Sequence, residues 1–298
     1  ALSAGGMTTT WVTNSEEWDG TNWAEGNDIG TARFQMASAG TQTAGLVAGG
    51  EGTPASTPYA RTESYNGASW TEVGDLNQAR YGLSGGGTQT AAIANGGHVG
   101  GPGANSALVE EWNGSSWTEV SDINTARGYL GSAVTDTENS ICFAGSTNPG
   151  TSLKALTEAW NGTSWTEVAD LGTARTYVSG SGSNTSALCL GGGPGTSGGT
   201  ATEEWTAPSV FSQINEGQVY YNSTSDAFKV TAKSIPAGAW ASGADINTAR
   251  HSQSGGGTST SSIIIMGGQL PGTSTDASET YNGTSWTEVN ELNTARTE

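Results

Sequence analysis

The sequence predicts a single all-β domain over residues 1–298, a propeller of six four-stranded blades, and three observations carry that prediction. A sentence recurs six times, in its fullest form Glu-x-Trp/Tyr-Asn-Gly-x-Ser-Trp-Thr-Glu-Val followed by Asp-Leu/Ile-Asn-Thr-Ala-Arg. Its second Trp falls at Trp23, Trp70, Trp117, Trp165, Trp240 and Trp286, and its closing Arg at Arg33, Arg80, Arg127, Arg175, Arg250 and Arg296, so the Arg spacings are 47, 47, 48, 75 and 46. A fixed period in this range marks a repeat architecture. The composition agrees, since 46 Gly, abundant Ser and Thr and only 8 Pro suit short strands and tight turns.

Residues 81–127 show one unit. Tyr81 to Gly87 is small and weakly apolar and reads as a first strand, with a turn at Thr88-Gln89-Thr90. Ala91 to Asn95 is apolar and stops at Gly96-Gly97; a Gly/Pro/Ser-rich loop runs to about Leu108. Val109 to Trp112 and Ser116 to Val120 are the third and fourth strands, and Asp122 to Arg127 leads into the next unit. Between the last two strands lies Asn113-Gly114, repeated as Asn66-Gly67, Asn161-Gly162 and Asn282-Gly283, with Asp19-Gly20 as a variant. A two-residue type I′ hairpin needs positive φ at both central positions, which Asn-Gly supplies. The turn also accounts for the glycosylation-like Asn161-Gly162-Thr163.

Four short strands per unit at near-equal spacing describe a propeller blade. Ser84-Gly85-Gly86-Gly87, Ser179-Gly180-Ser181-Gly182 and Ser254-Gly255-Gly256-Gly257 fit innermost strands, where blades crowd around the axis. The Trp residues suit the outer strands, where blades diverge and the gap must be filled.

Gly-Gly, then Glu-x-Tyr/Trp, then Trp, then Arg, at this period, resembles the kelch repeat over essentially the whole chain. That resemblance implies a fold and is nearly silent on function, because such propellers serve enzymes, adaptors and adhesins alike. The regular wording Trp-Asn-Gly-Ser/Thr-Ser-Trp-Thr-Glu-Val-x-Asp-Leu/Ile-Asn-Thr-Ala-Arg further resembles kelch-like repeats in structural proteins of marine tailed bacteriophages.

Gly5-Gly6 ends a second strand, so the first unit lacks its first strand, while Thr297-Glu298 would open one. These complementary deficits predict closure of six blades; seven would need a whole further unit. Closure removes open sheet edges. Opening in mid-pattern, without a starting Met or signal peptide, the chain reads as a piece of a longer polypeptide, with the closing strand supplied from beyond it or the ring closing imperfectly.

The net charge is −18, with only 10 Lys plus Arg, which sets aside nucleic acid and disfavours an anionic membrane surface. No apolar stretch is long enough to span a bilayer. Cys142 and Cys189 occupy equivalent places inside apolar runs and read as buried thiols.

Glu16, Glu63, Glu110, Glu158, Glu203 and Glu279 recur with the six Arg. An active site is usually built from exceptions to a repeat, so these residues are expected to be structural partners rather than a sialidase-like arginine cluster. Asn-Gly-x-Ser-Trp matches the Asp-box of sialidases poorly, because that pattern has one residue between the acid and the Gly. His98 and His251 are the only His, which supports no zinc or copper site and no Ser-His-Asp arrangement, and no calcium loop is present. No catalytic residue, metal or cofactor is expected.

Two departures from the repeat remain. The loops after each Gly-Gly, Glu51 to Thr62, His98 to Leu108, Ser146 to Thr157, Gly193 to Thr202 and Gln269 to Ser278, differ in length and wording while the strands around them do not. They carry Tyr59, Arg61, His98, Lys154 and Leu270, the candidate ligand-binding residues, and emerge on one face. A rigid scaffold that displays variable loops is a common binding design, although drift in tolerant loops gives the same pattern. The second departure is the 75-residue unit, in which 206–239 is inserted between the third and fourth strands. It reads as a β-hairpin with Tyr220, Tyr221, Phe228 and Lys229, projecting from the opposite face as a docking element or a self-packed ornament. The sequence therefore predicts a non-enzymatic structural or recognition module of a virion surface or extracellular setting. Its partners would be other virion proteins or copies of itself, and host-surface glycan or protein. A sugar-active surface enzyme and a bacterial adhesin are the alternatives.

Overall fold

The computed structural model describes residues 1–101, 104–148, 152–193, 198–207, 219–222, 227–230, 238–259, 261–270 and 273–297. Among these residues the blades are six antiparallel sheets, five of four strands and the first of three. Blade 3 is representative: Ser84–Thr88, Ala91–Asn95, Val109–Trp112 and Trp117–Val120 pair in sequence order. The Ser/Gly-rich strands Ala37–Thr41, Ser84–Thr88, Gly131–Asp136, Ser179–Gly182 and Ser254–Ser259 are innermost and lie side by side around the axis. Glycine is obligatory at the tightest of these approaches, since a Cβ on Gly180 would lie 2.2 Å from the Ser132 carbonyl oxygen.

The core lies between blades. Leu76, Leu83, Ala92, Trp112 and Trp117 pack against Ala37, Leu46 and Ala48 of the preceding blade. The Leu or Ile that follows the acidic residue of each linking segment, as at Leu76, Ile123, Leu171, Ile246 and Leu292, is 2–4% exposed. Each such side chain contributes about 1.5–3 kcal/mol by leaving water. Each fourth-strand Trp from blade 2 to blade 6 also reaches its indole N–H back to the preceding blade, as Trp117 does to Thr62 Oγ1 at 2.9 Å.

The hairpin turns differ from the two-residue expectation. Tyr65 pairs with Trp70, so the loop has four residues, Asn66 to Ser69. Gly67 has φ of +87° and Asn66 is not among the positive-φ residues. The Asn side chain instead accepts the backbone N–H groups of Ala68 and Ser69 at 3.0 and 2.9 Å. Asn113, Asn161 and Asn282 do the same, so Asn is chosen for its side-chain acceptor and Gly for its left-handed backbone.

In the long unit, Thr202–Thr206 pairs directly with Ala239–Ser242, and Val219–Asn222 pairs with Ala227–Val230 as a separate two-stranded hairpin. Tyr220 faces Lys229 and Tyr221 faces Phe228 in that register; the rest of 208–237 lies outside the described residues.

The ring closes between blades 6 and 1. Met7 and Thr297 exchange two backbone hydrogen bonds of 2.7 and 2.8 Å. Arg296 meets Glu16 at 3.0 Å, and Glu16 also accepts the Asn293 N–H at 2.8 Å.

Candidate functional site

Each repeat Arg pairs with the Glu of the unit that it leads into: Arg33 with Glu63, Arg80 with Glu110, Arg127 with Glu158, Arg175 with Glu203, Arg250 with Glu279 and Arg296 with Glu16. These pairs are buried, and desolvation pulls the affinity of Arg33, Arg80 and Arg250 for their protons down. Arg80 also donates to the carbonyls of Gly96 and Leu108, and Arg33 and Arg175 make the equivalent bonds to Gly49 and Arg61 and to Gly191 and Ala201. The guanidinium therefore ties together the two stems of the Gly-Gly loop. The second Glu oxygen accepts a backbone N–H from the linking segment, as from Asn77 to Glu110 at 2.7 Å and from Asn124 to Glu158 at 2.6 Å. This bond, with the Asn amide beside it, accounts for the Asn of Asn-Thr-Ala-Arg, whose role the sequence did not disclose.

The residue after each Arg pairs with the residue after each Gly-Gly, as Phe34 with Glu51, Tyr81 with His98 and His251 with Gln269. The variable loops and the channel mouth thus share one face. One residue further on, Gln35, Gly82, Tyr129, Tyr177 and Ser252 all have left-handed φ, between +51° and +60°. Their backbones form an arc around the mouth, in which the N–H of Gly82, Tyr129, Tyr177 and Ser252 each donates to the carbonyl of the equivalent residue in the preceding blade.

On this arc the side chains are exceptions to the repeat. His98 and Tyr81 lie 5.0 Å apart, Tyr81 and Tyr129 6.3 Å, Tyr129 and Tyr177 4.4 Å, and Tyr177 and His251 5.5 Å between ring centroids. Burial raises the pKa of all three Tyr hydroxyls and lowers that of His98, which keeps the imidazole neutral. Glu51 is 9% exposed, accepts the Ser56 N–H at 2.7 Å, and is raised above its ordinary value of 4.5 by burial.

The channel below has a volume of about 680 Å³. Its wall offers hydroxyls such as Ser84, Ser132 and Ser179, the amides of Gln35 and Gln253, and the rings of Tyr129 and Tyr177. No Asp, Glu, Lys, Arg or His side chain lines it among the described residues. Gln35 Oε1, Gln253 Oε1 and Ser84 Oγ have no hydrogen-bond partner among the described residues. The arrangement can hold a neutral, hydroxyl-rich molecule by hydrogen bonding and ring stacking. It presents no acid and base pair to a reacting bond within the channel.

The sequence-predicted loop residues are distributed over the same face without converging. Tyr59 is half-buried; Arg61 is exposed and paired with the exposed Glu72 at 2.6 Å; His98 is buried under Tyr81. Lys154 and Leu270 are half-buried in their own loops. Tyr81, Tyr129, Tyr177 and Glu51 were not singled out by the sequence. The signal for the three Tyr was the variation in the two residues after each Arg, Phe34-Gln35, Tyr81-Gly82, Gly128-Tyr129, Thr176-Tyr177 and His251-Ser252, and for Glu51 the variation in the residue after each Gly-Gly. The side chains of Tyr220, Tyr221, Phe228 and Lys229 lie outside the described residues. Among the described residues no cluster of His, Cys, Asp and Glu could hold a metal ion.

No protein-family model matches the chain, and no curated protein matches it. Among solved structures it is similar to that of YjhT, with a TM-score of 0.67 and 13% identity over 96% of each chain. That likeness identifies the six-bladed β-propeller and nothing finer.

Proposed function

We propose that this propeller is a non-enzymatic recognition module whose loop face and channel mouth bind a neutral carbohydrate. The observation that carries this reading is the mouth itself, a tilted Tyr129–Tyr177 pair above a channel of hydroxyls and amides without a charged side chain among the described residues. Aromatic faces and neutral hydrogen-bonding groups suit the apolar faces and hydroxyl edges of a sugar. The wording of the repeats, similar to kelch-like structural proteins of marine tailed phages, supports placement on a virion surface or another extracellular structure. There it would be joined to other virion proteins or to copies of itself and would meet host glycan.

A second reading, a sugar-active enzyme, is favoured by one observation: Glu51, its pKa raised by burial, lies close enough to Tyr81, Tyr129 and Tyr177 for its charge to add a little to the burial that raises theirs. A broad glycan array, read by mass spectrometry for retained protein and for altered sugar, separates the two. Retention without product is expected, weakened about tenfold by Tyr177→Ala, the equivalent of about 1.4 kcal/mol. Altered sugar that disappears in Glu51→Gln would replace recognition with catalysis. No retention on any glycan would reject the carbohydrate assignment.

A further inference from the structure

Seven carboxylate side chains are buried among the described residues. Six are the repeat Glu, and each of them meets an Arg. The seventh is Glu51, and no cation meets it among the described residues. The one Arg outside the repeat, Arg61, is taken by the exposed Glu72. The Glu51 carboxylate accepts a single hydrogen bond, from the Ser56 N–H to Oε1 at 2.7 Å. Its Oε2 has no donor among the described residues and is not shut away from solvent. A buried charge without a counter-ion is costly. A local rule broken without compensation in the fold points to a functional site.

Glu51 is an exception to the repeat as well. The residue after each Gly-Gly is otherwise Met7, His98, Ser146, Gly193 or Gln269, none of them acidic. Glu51 pairs with Phe34 as His98 pairs with Tyr81. In blade 3 that register sets the His98 ring 5.0 Å from Tyr81 and 6.4 Å from Tyr129 of the following blade. In blade 2 the same register sets the carboxylate beside Phe34 and toward the following blade, whose arc residue is Gly82. The Tyr129 ring lies against that glycine, since a Cβ on Gly82 would stand 2.7 Å from Tyr129 Cδ1. We propose that Glu51, with the rings of Phe34, Tyr81 and Tyr129, forms a subsite at the rim of the mouth for a primary ammonium group, such as an amine-bearing sugar or a small aliphatic amine presents. One N–H of the ammonium donates to Oε2 in a charge-assisted bond. The rest of the cation meets aromatic rings, whose faces attract positive charge. A quaternary ammonium has no N–H to give, and a metal ion takes several oxygen ligands where this site offers one carboxylate. The net charge of −18 raises the local concentration of cations. This inference is independent of the carbohydrate reading, because the subsite needs no sugar ring.

The test is a calorimetric titration of the full chain at low ionic strength with four probes: glucosamine, glucose, ethanolamine and N-acetylglucosamine, in which the amine is capped as a neutral amide. Glucosamine is expected to bind at least about tenfold more tightly than glucose or N-acetylglucosamine, and ethanolamine to bind saturably at one site. Ethanolamine as tight as glucosamine would support the subsite with a simple amine as its ligand, and tighter glucosamine would support it with an amine-bearing sugar. In Glu51→Gln the preference for the amine should vanish. That variant should melt level with the parent or higher, because Gln keeps an acceptor for the Ser56 N–H and removes the uncompensated charge. Equal affinity for glucosamine and glucose would overturn the proposal, and so would a preference that survives Glu51→Gln. A lower melting temperature of Glu51→Gln would also overturn it, because the charge would then be compensated within the protein. A glycan array that retains no protein would remove the carbohydrate reading alone, since ethanolamine carries no sugar.

Discussion

At Arg127 the guanidinium is fully buried and bonds Glu158, the Thr125 carbonyl at 3.1 Å and Cys142 Sγ at 3.3 Å. A buried pair of this kind is weak evidence of net stabilisation, because each ion has lost its water. Removing one partner is a different matter, since it strands the other charge at a cost of about 3–5 kcal/mol. Arg127→Ala is therefore expected to lower the melting temperature by on the order of 10 °C. Binding at the Tyr129–Tyr177 mouth should remain, provided it is measured well below the transition. Differential scanning calorimetry beside a glycan titration checks both halves. Unchanged melting would mean that the carboxylate of Glu158 is not held out of water. The double variant Arg127→Met/Glu158→Leu should recover most of the loss, because it leaves no charge stranded.

The strand pattern of each blade was legible because apolar alternation, Gly-Gly stops and Trp spacing all act locally. The Asn-Gly turn was legible as a turn, yet its chemistry was not. Asn66 works through a side-chain oxygen, and sequence alone does not distinguish that from a left-handed Asn backbone. The mouth cluster was missed for a different reason. Tyr81, Tyr129 and Tyr177 stand 48 residues apart in each step and converge only because successive blades bring the residues just after each Arg to the axis, the first position for Tyr81 and the second for Tyr129 and Tyr177. The inserted hairpin is the element whose role the repeat does not dictate. Thr202–Thr206 and Ala239–Ser242 pair with each other as the equivalent strands do in other blades, so blade 5 does not need the insertion to form its sheet. Deletion of 212–236 is thus expected to leave the circular dichroism and melting of the propeller unchanged, and a hairpin that docks to a partner or to a second copy would take that assembly with it. Assembly that persists, followed by size-exclusion chromatography, would make the hairpin an ornament.

Across the whole ring, five junctions are joined three ways: by the continuous chain, by adjacent blade packing and by an Arg–Glu pair. The seam between blades 6 and 1 has the pair and the packing but joins residues near opposite ends of the sequence. Its hydrogen bonds include the Met7–Thr297 exchange, Asn293 to Glu16, Asn290 to Thr21 at 2.7 Å and Arg296 to Ser3 at 2.7 Å. Closing a loop of nearly the entire chain carries the largest entropy cost in the molecule, and that cost grows only slowly with length, so a handful of bonds suffices to hold it. The seam should nevertheless be the first place to open, because local stability follows the bonds that must break for a segment to leave. Native-state hydrogen exchange is expected to show Met7 and Thr297 exchanging faster than Glu51 and Phe34, their counterparts at the next junction. Arg296→Ala should accelerate exchange across blade 1 far more than Arg127→Ala does across blade 4, since only at the seam does losing the pair leave no covalent link behind. Equal protection at the two junctions would mean that the ring opens as one cooperative unit.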